Sequence, residues 1–100
     1  KREYTEASDA ALVVSIGRYQ QAALAEAYRR HAGATFGLAK RLLNDHARAE
    51  EVVQEVFVRL AAHLKDFRGD STFRTWLRRL AVNLAIDRRR HARWRKPHVA

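Results

Sequence analysis

The chain has 100 residues, a length typical of one domain, and twenty Lys and Arg residues against eleven Asp and Glu residues give it a formal net charge of +9. It contains no cysteine, which excludes a disulfide framework and a thiolate metal site. No apolar run approaches the roughly 20 residues that cross a bilayer, and no signal-peptide pattern opens the chain. We therefore expect a soluble, cytoplasmic protein that makes no membrane contact.

The positive charge is concentrated in the carboxyl-terminal third. Residues 1–65 hold ten basic and eight acidic side chains, for a net charge of +2, whereas residues 66–100 hold ten basic and three acidic ones, for a net charge of +7. This asymmetry predicts an anionic partner. Nucleic acid fits better than a membrane, because the basic segment also carries Trp76, Asn83 and Asp87, which can contact bases or fix neighbouring side chains.

Helical periodicity, few glycines and no alternating strand pattern predict an all-α protein, a compact bundle of about four helices. The first helix is predicted over residues 10–17, with Asp9 as its N-cap. The second is predicted over residues 21–43, where Gly33 and Gly37 should weaken it by roughly 1 kcal/mol each unless close packing compensates. Its predicted core stripe is Leu24, Tyr28, Phe36, Ala39 and Leu43.

The third helix is predicted over residues 46–64, capped by Asp45 and antiparallel to the second because the turn between them is short. Its predicted inward side chains are Val53, Val56, Phe57 and Leu60. The fourth helix is predicted over residues 72–96, with Asp70 or Ser71 as its cap. Its predicted core stripe is Phe73, Leu77, Leu80, Ala81 and Leu84.

The remaining faces of the fourth helix are rich in arginine. Guanidinium groups form planar forks that suit phosphates, and Trp76 offers a stacking face, a mixture expected for single-stranded nucleic acid. The alternative is a solvated charged face with Trp76 buried in the core. The arginines concerned are Arg74, Arg78, Arg79, Arg88, Arg89, Arg90 and Arg93.

The third helix carries an acidic and amide patch, Glu50, Glu51, Gln54 and Glu55, in an otherwise basic protein. It could bind another protein. On spacing alone, a simpler interpretation is that these side chains offset the helix dipole and pair with arginines on the same helix, Arg48 or Arg59.

Two motifs together resemble region 2 of the bacterial extracytoplasmic-function sigma factors. They are RAEEVVQEVFVRL at residues 48–60 and FRGDSTFRTWLRRLAVN at residues 67–83. Residues 22–43 are also similar to the family's first long helix, so the resemblance covers nearly the whole chain. It implies a transcription initiation factor without catalysis of its own, which lends promoter recognition to RNA polymerase core enzyme and has an anti-sigma factor as a further partner.

The resemblance also implies roles for single residues. Glu51, Gln54 and Glu55 match positions that contact the clamp helices of the polymerase's largest subunit, which favours the protein-binding interpretation of the patch. The loop that matches the family's pocket for a flipped base of the non-template minus-ten strand comprises Phe67, Arg68, Gly69, Asp70 and Ser71.

Trp76, Arg78 and Asn83 match positions that hold the melted strand, although Arg78 suits a phosphate as well as a base. The remaining arginines of the predicted surface are expected to hold phosphates, and they are Arg79, Arg88, Arg89 and Arg90. Residues 1–96 would form the region 2 domain. Residues 97–100 would begin a linker to a second DNA-binding domain to which nothing in this chain corresponds.

Two other classes of function remain open at this point. One is a basic helical module that binds nucleic acid without sequence preference, and the other is a protein-interaction domain that uses the third helix. No nucleophile motif or glycine-rich phosphate loop is present, and the histidines lack paired metal-ligand spacing, so we expect no enzyme, no metal and no cofactor. The histidines are His31, His46, His63, His91 and His98.

Overall fold

A computed structural model describes residues 4–18, 20–63 and 72–94 of the chain. Within these ranges it contains no strand and four helices, which are α1 (Asp9–Gly17), α2 (Gln21–Leu43), α3 (His46–His63) and α4 (Phe73–Trp94). Helix α2 lies at the centre, because it packs against the other three helices more extensively than any other helix does. The predicted all-α bundle is confirmed. Within the same ranges, no helix is both long enough and apolar enough to cross a membrane.

Helix α1 begins one residue earlier than predicted, and the predicted cap is wrong. Its N-cap is Ser8, whose hydroxyl oxygen accepts a hydrogen bond from the Ala11 N–H at 3.1 Å. Asp9 lies in the first turn, where a carboxylate is favoured by the helix dipole. Its Oδ1 also lies 3.3 Å from Arg30 Nη1 and 3.2 Å from His31 Nε2 on α2. Asp9 therefore fastens α1 to α2.

Arg30 extends this attachment to the segment before α1. Its Nη2 donates to the carbonyl oxygens of Tyr4 and Thr5, at 3.0 Å each, and its Nε donates to Glu26 at 2.8 Å. Hydrogen bonds from Arg29 and then Arg30 lower the pKa of Glu26 to about 2. The Arg30–Asp9 ion pair and the hydrogen bonds to the Tyr4 and Thr5 carbonyls therefore hold residues 4–9 against α2.

The turn between α2 and α3 is tight, and the two helices are antiparallel as predicted. Asn44 adopts the left-handed conformation, with φ of 51°, which asparagine tolerates better than most residues. The ring of Tyr28, early in α2, lies 5.0 Å from that of Phe57, late in α3. The ring of Phe36, late in α2, lies 5.0 Å from that of His46, at the start of α3.

The N-caps of α3 and α4 are short polar side chains. The Asp45 carboxylate accepts a hydrogen bond from the Arg48 N–H at 2.9 Å, which confirms the predicted cap of α3. At α4, the Thr72 hydroxyl oxygen accepts from the Thr75 N–H at 3.1 Å. Thr72 thus fills the position predicted for Asp70 or Ser71, and both of those residues lie outside the described ranges.

The buried side of α2 is rotated from the predicted stripe by about one residue. Tyr28 is 45% exposed, and Leu24, Phe36 and Leu43 are only half-buried, whereas Ala39 is buried as predicted. Four small side chains and two larger ones, His31 and Leu38, face the centre instead. The buried residues of α2 are Ala23, Ala27, His31, Thr35, Leu38 and Ala39.

The core stripes of α3 and α4 agree with prediction, with one exception. All four predicted inward side chains of α3 are buried. Leu80 is half-buried at the edge of the core, whereas the other predicted residues of α4 are buried. His31 of α2 also packs edge-on against Phe73 of α4, with ring centroids 5.4 Å apart.

The two glycines of α2 are not explained by close packing. A Cβ atom added at Gly33 or Gly37 would meet nothing within 4 Å among the described residues. We therefore predict that Gly37→Ala stabilises the domain by about 0.5–1 kcal/mol, because alanine loses less backbone entropy on folding into a helix. Urea unfolding should show a higher midpoint with an unchanged slope. A lower midpoint would mean that the added methyl group clashes with a neighbouring side chain.

Candidate functional site

Within residues 73–90 of α4, the exposed basic side chains fall on two stripes, one of which also carries Trp76 and Asn83. Trp76, Asn83 and Arg90 are spaced seven residues apart, about two turns, and Arg79 lies one turn before Asn83. We call these four residues the tryptophan stripe. Arg74, Arg78 and Arg89 share a second stripe, on the other side of the buried face. Trp76 is half-buried, and the other six side chains are exposed.

Trp76 is held by its own helix. It is half-buried at the edge of the core, and its ring stacks on that of Phe73 with centroids 6.2 Å apart and planes 19° apart. The stacking contact with Phe73 favours this orientation of the indole. This position lies between the two alternatives given by the sequence, which were full burial in the core and a free stacking surface.

Arg88 lies on neither stripe. Four residues after Leu84 and seven after Ala81, it continues the buried face of α4 towards α3. Its Nη1 donates to Glu51 Oε1 at 2.7 Å, and its Nη2 donates to Glu55 Oε1 at 2.8 Å. Arg88 therefore joins the acidic patch of α3 to α4.

Glu55 is also bound by Arg59, whose Nη2 lies 2.9 Å from Glu55 Oε2. The hydrogen bonds from Arg88 and then Arg59 lower the pKa of Glu55. The expected pairing with Arg59 is confirmed, whereas Glu51 pairs with Arg88 on another helix. Arg48 approaches Asp45 instead, at 3.9 Å.

Next to the patch, α2 and α3 enclose a cleft of about 380 Å³. Gln54 and Glu50 contribute its polar side, and Glu50 Oε2 lies 3.3 Å from His46 Nε2. The cleft was not expected from the sequence, because it depends on the rotated position of α2. Its lining residues are Tyr28, Ala32, Gly33, Phe36, Glu50, Val53 and Gln54.

The predicted loop residues Phe67, Arg68, Gly69, Asp70 and Ser71 lie outside the described ranges, so their roles stay predictions. Among the side chains that the structure describes, in residues 4–18, 20–62 and 72–90, no three His, Asp or Glu side chains come together in a way that could hold a metal ion.

Comparisons with known proteins identify the family. Residues 27–95 match the family model described as Sigma-70 region 2, a range that covers most of α2 and all of α3 and α4. The chain is 36% identical over 81 residues to the RNA polymerase sigma-H factor of Pseudomonas aeruginosa, which covers 81% of this chain and 42% of that protein. It is 41% identical over 88 residues to the ECF RNA polymerase sigma factor SigL of Mycobacterium tuberculosis, which covers 80% and 49%.

A shorter segment of 35 residues is 57% identical to the ECF RNA polymerase sigma-E factor of Escherichia coli, covering 35% of this chain and 18% of that protein. No solved structure gives a significant match. The chain spans somewhat less than half the length of the first two relatives. Because the family match covers both the acidic patch of α3 and the basic stripes of α4, the chain belongs to the sigma-70 region 2 family, with its relatives among the extracytoplasmic-function sigma factors.

Proposed function

We propose that this chain is the region 2 domain, over residues 1–96, of a transcription initiation sigma factor. It binds RNA polymerase core enzyme and recognises the promoter minus-ten element, and it catalyses no reaction itself. The observation that carries this proposal is the family match over residues 27–95, which includes both candidate surfaces. By family resemblance alone, an anti-sigma factor is a further proposed partner.

Glu51, Gln54 and Glu55 form the proposed polymerase-binding surface, which contacts the clamp helices of the largest subunit. Glu51 and Gln54 are exposed, and Glu55 is held between two guanidinium groups, which fixes the position of its carboxylate. The cleft that Gln54 lines offers space for an apolar side chain of the partner. Polar side chains beside a partly apolar cleft are typical of protein interfaces.

The tryptophan stripe is the proposed surface for the melted strand. An unpaired base can stack on an aromatic ring such as Trp76, and the Asn83 amide can pair with a base edge. Arg79 and Arg90 on the same stripe are placed to hold phosphates, which position the strand without reading it. Base contacts and phosphate contacts would then lie on the same face of α4, as expected if this face binds one DNA strand.

The loop before α4 supplies the proposed pocket for a flipped base. Extracting a base from a duplex costs a few kcal/mol in lost stacking and pairing, which the pocket must offset. Phe67 can form an apolar wall, and Asp70 and Ser71 can bond to a base edge. Thr72, which follows these residues in the sequence, caps α4, and Trp76 of the tryptophan stripe is the fourth residue of that helix.

Binding to single-stranded minus-ten oligonucleotides tests this proposal against nonspecific binding. Asn83→Ala should reduce the preference for the best sequence over scrambled ones by about 5- to 150-fold, because one base contact contributes about 1–3 kcal/mol of discrimination. Arg89→Ala, which removes an exposed cation from the second stripe, should weaken all sequences alike and reduce the salt slope by about 1 if Arg89 holds one phosphate. Fluorescence anisotropy over a salt series measures both effects.

If the unaltered chain binds all sequences equally, the nonspecific basic module is the better description. If it prefers one sequence but Asn83→Ala keeps that preference, the tryptophan stripe does not read the base. Absence of oligonucleotide binding at low salt would favour a protein-interaction domain.

A further inference from the structure

We propose that Arg88 is a positioning residue of the polymerase-binding surface, where it orders Glu51 and Glu55, and that it does not hold DNA phosphate. This inference rests on the proposed function of α3. It separates Arg88 from its neighbours Arg89 and Arg90, with which it forms a continuous basic run in the sequence.

The direction of the Arg88 side chain supports this assignment. It extends the buried face of α4 and is 33% exposed, whereas Arg89 and Arg90 are exposed on the two outer stripes. Its Nε is shielded from solvent and has no hydrogen-bond acceptor among the described residues. To reach a phosphate on either outer stripe, Arg88 would have to leave two charge-assisted hydrogen bonds.

The hydrogen bonds leave part of the acidic surface open to a partner. Arg88 engages Glu55 Oε1 and Arg59 engages Glu55 Oε2, so both oxygens of Glu55 are bound. Arg88 engages only Oε1 of Glu51, and the Glu51 side chain is 59% exposed. The second oxygen of Glu51 can therefore accept from a polymerase side chain while Arg88 fixes the carboxylate from behind.

The balance of charges indicates that the polymerase would recognise the position of the Glu51 carboxylate. Two carboxylates and two guanidinium groups balance within the group formed by Glu51, Glu55, Arg59 and Arg88. The free energy of binding then depends on where Glu51 is held rather than on a net negative charge. If Arg88 no longer fixes Glu51, this side chain must be immobilised when the partner binds. That immobilisation should weaken affinity by about three- to tenfold for one glutamate.

Arg88→Lys tests this inference because it keeps the positive charge but removes the fork that spans two carboxylates. Affinity for core RNA polymerase, measured by anisotropy of the labelled chain without DNA, should fall about three- to tenfold. Affinity for single-stranded oligonucleotide and its salt slope should not change. In addition, NMR titration of Arg88→Ala should show a raised pKa for Glu55, because Arg88 is the main group that lowers it.

Arg30→Lys is a matched control. Arg30 also bridges two carboxylates, Asp9 and Glu26, and its side chain is 21% exposed, but it lies among α1, α2 and the preceding segment. It should keep full polymerase affinity even if its thermal stability falls as far as that of Arg88→Lys. Equal losses of polymerase affinity in the two variants would assign the effect to stability and overturn the inference.

The remaining outcomes also decide between explanations. If the unaltered chain does not bind core polymerase, the proposed function fails, and this inference fails with it. If the unaltered chain binds and Arg88→Lys binds equally well, only the role of Arg88 is overturned. A loss of oligonucleotide affinity in Arg88→Lys, with polymerase affinity kept, would return Arg88 to the phosphate-holding set.

Discussion

Replacing Glu51 with lysine and Gln54 with alanine in one chain should abolish measurable association with core RNA polymerase, a loss of at least about 100-fold. Charge reversal puts a cation where a partner's donor is expected, and central interface residues each contribute about 2–4 kcal/mol. The new ammonium group would also face Arg88, whose Nη1 loses its acceptor. Oligonucleotide binding should remain, because the tryptophan stripe is unchanged. Anisotropy titrations with polymerase and with oligonucleotide measure both.

The same two chemical changes can be made away from α3 as a control. Glu6 and Gln20 are exposed, and the Gln20 side chain makes no capping hydrogen bond at α2. Glu6→Lys with Gln20→Ala should therefore bind polymerase like the unaltered chain. If the α3 variant is folded by circular dichroism and still binds polymerase, the acidic patch is not the contact surface.

The bounds of the helices could be predicted closely because their signals are local. Helix α2 has the predicted range, and the Asp45 cap of α3 is as predicted. At α1, a serine and an aspartate are adjacent, and both are good caps, so the sequence could not decide between Ser8 and Asp9. The aspartate instead pairs with α2, a contact between residues 21 and 22 positions apart.

The rotation of α2 could not be predicted, because periodicity favours large apolar side chains as the core. In a helix packed by three neighbours, alanines at Ala23 and Ala27 allow the closest approach, and larger rings such as Tyr28 lie at the edges. The cleft beside Gln54 follows from this arrangement. The sequence feature that could have indicated the rotation of α2 was the spacing of Ala23 and Ala27, which are four residues apart.

The candidate surfaces were predictable to different degrees. Residue type and resemblance indicate which side chains of α3 and α4 matter, but they give no direction to individual arginines in the run from Arg88 to Arg90. Arg88 differs only through contacts with residues 33 and 37 positions away. Helical spacing could have indicated the inward direction of Arg88, because a residue that lies four positions after a buried residue such as Leu84 is on the same face of the helix.

Leu60→Ala should lower the free energy of unfolding by about 2–5 kcal/mol, the largest stability effect that we predict. Leu60 is fully buried in α3, so its removal loses apolar contacts and leaves a cavity. Domains of this size are stable by about 5–15 kcal/mol, and the variant would lose a large share of that margin.

Val58→Ala is the control for Leu60→Ala on the same helix. Val58 is 68% exposed, so the change should shift the free energy of unfolding by less than about 0.5 kcal/mol. Urea unfolding followed by circular dichroism measures both variants. Equal effects would show that α3 does not pack through the face that carries Leu60.

Because Glu51 and Glu55 project from the same helix and reach Arg88 on α4, a loosened α3 should weaken polymerase binding well before it weakens oligonucleotide binding.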